Sequence, residues 1–128
     1  VSTKDKNRRQ KGLTIYSSQL RLSVAEVEKH FTKTYGRAFA EDAFQAAGGS
    51  TWEDTPLDVR ERSLLVIAIL AALGGVEPRL ENHVRWAIDH GATVDEIHAA
   101  IGLVANYAGF ARASVAIEAA NRALNDLC

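Results

Sequence analysis

Residues 57–91 read Leu57-Asp58-Val59-Arg60-Glu61-Arg62-Ser63-Leu64-Leu65-Val66-Ile67-Ala68-Ile69-Leu70-Ala71-Ala72-Leu73-Gly74-Gly75-Val76-Glu77-Pro78-Arg79-Leu80-Glu81-Asn82-His83-Val84-Arg85-Trp86-Ala87-Ile88-Asp89-His90-Gly91. The apolar run 64–73 is about half the length a membrane span needs, so it is a core helix. It is apolar on every face, and such a helix has to be surrounded by protein. Asp58 and Glu61 cap its start, and Gly74-Gly75 stop it. Pro78 suits the first turn of a second helix, because it has no N–H to leave unpaired. That helix is amphipathic, ends at Gly91, and carries the densest group of polar residues able to do chemistry.

Helical spacing continues in both directions. Ser23-Val24-Ala25-Glu26 and Thr93-Val94-Asp95-Glu96 have capping-box spacing, in which side chain and backbone satisfy each other's orphan N–H groups. The first opens a helix with Val27, Phe31 and Tyr35 on one face, ended by Gly36. The second opens one with Ile97, Ile101 and Val104 inward, ended by Gly109. Residues 39–47 read as a short helix stopped by Gly48-Gly49, and 50–56 as a loop containing Trp52. Residues 111–127 form an alanine-rich last helix. Residues 11–22 lack a clean period and read as a loop with room for a short helix, and 1–10 as a frayed basic tail. Apolar spacing of three to four throughout predicts an all-α fold. The length predicts a single domain over residues 1–128. Alanine around much of the last helix predicts a second partner surface, hence an oligomer.

The formal net charge of −1 argues against nucleic-acid or membrane partners. One cysteine, Cys128, permits neither an internal disulfide nor a Cys-x-x-Cys, which points to a reducing cytoplasmic compartment. His83 and His90 are two turns apart, roughly 10 Å along the axis, too far to share a metal ion, so no metal site is expected.

Arg79 and His83 share one side of the second helix with Trp86 or Ala87. An imidazole beside a fixed cation suits proton transfer to an anionic substrate, although spacing serves equally a histidine hydrogen-bonded in an interface. Arg60, Arg62, Arg79 and Arg85 suit carboxylate recognition, while pairing with Asp58, Glu61, Glu77, Glu81 and Asp89 would absorb most of them. Trp52, Trp86 and Tyr107 fit a pocket wall or core packing.

The string Leu57-Asp58-x-x-x-Arg62-Ser63-Leu64-x-x-Ile67-Ala68-x-Leu70 resembles the carboxymuconolactone decarboxylase family. So do Leu80-x-x-His83-x-x-x-Ala87-x-x-x-Gly91-x-Thr93-x-x-Glu96-Ile97 and Tyr107-x-Gly109, and the likeness runs over residues 52–120. The resemblance implies the alkyl hydroperoxidase D-like helical fold and a homotrimer or homohexamer. It also implies cofactor-independent decarboxylation of a small carboxylated unsaturated lactone, 4-carboxymuconolactone or an analogue, in aromatic-compound catabolism. On it, His83 delivers a proton and Arg62 or Arg79 holds the anionic group or the enolate. Trp52, Arg60, Trp86 and Tyr107 then line the substrate.

The peroxidase branch of this fold carries two cysteines where Val76 and Arg79 stand, and a glutamate at about Ser63. Without a thiolate, peroxide has no nucleophile to meet. Arg79 stands where the decarboxylases usually carry an acid, and Ala111 where they carry proline. These departures keep two other readings open: related proton-transfer or lactone chemistry in a biosynthetic pathway, and a non-catalytic oligomeric ligand-binding protein.

Overall fold

A computed structural model describes residues 3–53 and 55–127, and the lone cysteine, Cys128, lies outside them. Among the described residues there are seven α-helices, one π-helical segment and no strand. The chain groups into two compact units, Val1–Pro56 and Leu57–Cys128.

The first unit comprises α1 (Thr3–Leu20), α2 (Val24–Tyr35), α3 (Arg37–Asp42) and a π-helical segment (Ala43–Glu53). Ser23 and Glu26 close the expected capping box on α2. Leu13, Val27, Phe31, Ala40 and Phe44 form the core. The sequence predicts a frayed tail, then a loop with at most a short helix, where the 18-residue α1 stands, and the difference has a cause in charge. Arg9 grips Glu41 with two hydrogen bonds of 2.8 Å, pairs with Glu28, and lies 5.5 Å from the centre of the Phe44 ring. A guanidinium held by two carboxylates and an aromatic face ties a weakly apolar helix to its unit.

The stop expected at Gly48-Gly49 does not occur either, because the chain continues there as a π-helix. Glycine serves close approach instead. A Cβ at Gly49 would overlap the Arg8 carbonyl, and one at Gly12 would overlap the Phe44 carbonyl. Backbone therefore meets backbone where α1 crosses the π segment, and no flexible side chain can yield.

The second unit is α4 (Val59–Leu73), α5 (Glu77–Asp89), α6 (Val94–Ala108) and α7 (Phe110–Asn125). Asp58 caps α4 through the Glu61 N–H at 2.8 Å, and Thr93 with Glu96 forms the second capping box. Gly74 and Gly109 end α4 and α6. Ile67, Leu80, Val84, Ile97 and Ile101 are fully buried. Each contributes about 1.5–3 kcal/mol relative to exposure.

The alanines of α7 do not form a second partner surface. Ala113, Ala116, Ala119, Ala120 and Ala123 are buried in this unit's own core, where small side chains let α7 approach its neighbours. The uncovered apolar face lies elsewhere. On α4, Leu65, Ile69 and Leu73 are 48%, 63% and 60% exposed, at i, i+4 and i+8, so a helix that has to be surrounded keeps one stripe bare. No helix of the described residues is long and apolar enough to cross a membrane.

Gly12→Ala is expected to destabilise the protein by roughly 2–3 kcal/mol or more, the upper range for overpacking a closed interface. Urea denaturation followed by circular dichroism measures it, and a loss below about 0.5 kcal/mol would contradict the close approach.

Candidate active site

Within the second unit, α4 and α5 pack together, and the residues able to do chemistry gather along that seam. Arg62 and Ser63 come from the first turns of α4, and Arg79, His83, Trp86 and His90 from α5. His83 and His90 differ by seven residues, two helical turns, and so share a stripe. His90 caps α5, its N–H reaching the carbonyls of Trp86 at 2.8 Å and Ala87 at 3.1 Å.

His83 is half-buried, with Trp86 against it edge to face, ring centres 4.8 Å apart at 84°. Its pKa falls to about 4: burial disfavours the cation most, and the charges of His90 and Arg79 add to the effect. Burial also lowers His90, Asp89 opposes that shift, and Arg62 reinforces it. Both imidazoles are therefore neutral at pH 7, in a field set by two guanidiniums. A neutral imidazole can donate or accept, and an arriving anion makes protonating it easier.

Ser63 Oγ lies 2.7 Å from His90 Nδ1. Neither residue was singled out as a site residue from sequence. They are 27 positions apart, a serine in an apolar helix reads as ordinary packing, and only the fold brings them together.

The other expected site residues are placed as follows. Arg62 is half-buried, and its Nε donates to the Asp58 carbonyl at 3.2 Å. Arg79 is exposed on the first turn of α5. Arg60 is paired across helices with Glu96 on α6. Tyr107 is 89% exposed, solvated within one chain where the sequence expects a wall. Trp52 is 8% exposed and belongs to the first unit.

For Arg60 and Arg85 the structure shows pairing between helices where the sequence predicts pairing within them. Arg85 reaches Asp126 at 3.2 Å, and Glu81 is taken by Arg122 at 2.8 Å. Asp58 caps α4, and Glu77 accepts from the Gly75 N–H at 3.1 Å. His98 is bound to Asn121 at 3.0 Å, away from the seam. Among the described residues no three His, Cys, Asp or Glu side chains group as metal ligands would.

The carboxymuconolactone decarboxylase family model matches residues 37–122. A 4-carboxymuconolactone decarboxylase of Acinetobacter baylyi is 31% identical over 106 residues, covering 78% of this chain and 78% of that protein.

The depressed His83 pKa makes stability depend on pH with a definite sign. The unfolded imidazole takes a proton near 6.5 and the folded one only near 4, so in between the unfolded state binds more protons. Stability is then full above about pH 6.5 and falls on acidification toward 4, by on the order of 3 kcal/mol. In His83→Gln this acid loss should shrink markedly. Denaturant midpoints at pH 7.5 and 4.5 measure it, and equal slopes in both proteins would contradict the burial of His83.

Proposed function

Because the chain belongs to the carboxymuconolactone decarboxylase family, we propose that it is a cofactor-independent carboxy-lyase acting on a small carboxylated unsaturated lactone, with 4-carboxymuconolactone as first candidate. One observation carries the reading: a desolvated neutral imidazole, His83, stands in the field of Arg79 beside an aromatic wall. A water-poor site with fixed positive charge favours a substrate anion whose charge moves into the ring during reaction.

The chemistry needs little else. The bond between the γ-carbon and its carboxylate breaks and CO2 leaves. The electron pair passes through the ring double bond onto the lactone carbonyl oxygen, giving an oxyfuran-like enolate. The ring is its own electron sink. Arg62 and Arg79 hold the anionic groups, the carboxylate that stays and the enolate oxygen. Binding an anion beside His83 raises its low pKa, so His83 takes up a proton with the substrate. It then delivers that proton to a ring carbon, which restores the lactone.

The reading includes assembly. The bare stripe of Leu65, Ile69 and Leu73 on an otherwise packed helix fits burial against further copies of the chain, as a homotrimer or homohexamer. Ile69→Asp should then yield a smaller species in sedimentation velocity. Wild-type protein that sediments as a monomer would overturn the assembly.

With 4-carboxymuconolactone, wild type should release CO2, and His83→Ala should lose about 100-fold or more in kcat, as removal of a proton donor does. Arg62→Gln should weaken substrate binding. Absence of CO2 release by folded wild type would overturn this substrate, and full turnover by His83→Ala would overturn the role of His83.

A further inference from the structure

Ser63 is 1% exposed, in a core that is otherwise apolar. Among the described residues, its hydroxyl makes one hydrogen bond, to His90 Nδ1 at 2.7 Å. That geometry alone does not say which partner donates. Burial does.

A hydroxyl has one proton to place, and leaving a buried O–H without an acceptor costs about 1–3 kcal/mol. If Nδ1–H donated, the serine proton would have no acceptor among the described residues. The serine therefore donates, Nδ1 accepts, and the proton of the neutral ring sits on Nε2. We propose that Ser63 is a positioning residue whose buried hydroxyl fixes His90 as the Nε2–H tautomer, giving the site a second N–H donor for a substrate oxyanion.

The surroundings agree. Burial and Arg62 on α4 keep His90 uncharged, against the pull of Asp89, and His83 shares its stripe two turns away. A protonated His90 would turn Nδ1 from acceptor to donor and orphan the serine proton, so Ser63 also opposes protonation. The two imidazoles then divide the work: His83 takes up and delivers the proton, and His90 stays uncharged and donates a hydrogen bond. The identity of the oxyanion, the enolate oxygen, rests on the decarboxylase reading.

The test separates the two claims. In two-bond 1H–15N spectra a protonated and an unprotonated ring nitrogen resonate far apart, with no substrate needed. Wild type should show His90 protonated on Nε2 alone at pH 7.5. Ser63→Ala should give mixed tautomers and a higher His90 titration midpoint, and Ser63→Thr should restore the single tautomer. Mixed tautomers or an Nδ1 proton in wild type, or an unchanged spectrum in Ser63→Ala, would overturn the proposal even if the enzyme decarboxylates.

If wild type does not decarboxylate, the spectra still decide the role of Ser63. Where it does, two isosteres read the donor. His90→Asn keeps a partner for Ser63 at the Nδ1 place and removes the Nε2–H, and should lower kcat about 100-fold with little change in KM. His90→Gln keeps a donor near the Nε2 place and should lose less. The reverse order, or equal activity in both, would overturn the donor role. His90→Asn also covers the case in which Ser63→Ala does not fold.

Discussion

Desolvation of imidazole is the constraint from which the candidate site follows. A histidine left in water near pH 7 is partly charged and indifferent to its neighbours. His83, half-buried against Trp86 with Arg79 nearby, is held neutral. The free-energy cost of charging it in the empty protein is what makes it responsive to an anion, since a negative charge delivered to that place offsets the cost. The packing of α4 and α7 against α5 supplies the dry surroundings, and the small alanines of α7 let the helices come close enough. Core and chemistry are thus one problem in the second unit.

The first unit is held on different terms. Its core is aromatic, with Phe31 between Tyr16 at 4.8 Å and Phe44 at 5.3 Å, and charge pairing at Arg9 supplements it. The Arg9 contacts join three segments, α1 through Arg9 itself, α2 through Glu28 and α3 through Glu41. A guanidinium is suited to this because its planar fork serves two carboxylates at once. The bonds of Glu41 to Arg9 also hold that carboxyl below the usual carboxylate range.

Most of the helical architecture was legible because its signals are local. Ser23 with Glu26 and Thr93 with Glu96 announce helix starts within four residues, and Gly36, Gly74 and Gly109 announce ends. What could not be read depends on partners far along the chain. The helicity of α1 rests on Glu28 and Glu41, 19 and 32 residues from Arg9. The π segment rests on α1 passing close to Gly49. In the site, the ordered string of residues pointed to Arg62 and His83, and spacing along one helix put Arg79 on the same side as His83. The Ser63–His90 contact was invisible, because each residue is unremarkable until α4 lies against α5. Tyr107 shows the converse, an aromatic whose place in a family string says nothing of its solvation in one chain.

Every cation of the second unit is an arginine, since the last lysine of the sequence is Lys33. The positive field along the α4–α5 seam therefore comes from groups that keep their charge at any pH a folded protein tolerates. An ammonium in the same place could be switched off by burial, and a guanidinium cannot. The seam accordingly offers a constant electrostatic background. No side-chain amine there adds a titration of its own. Reagents that seek primary amines will also find nothing on this unit's side chains, so acylation leaves its charge pattern intact.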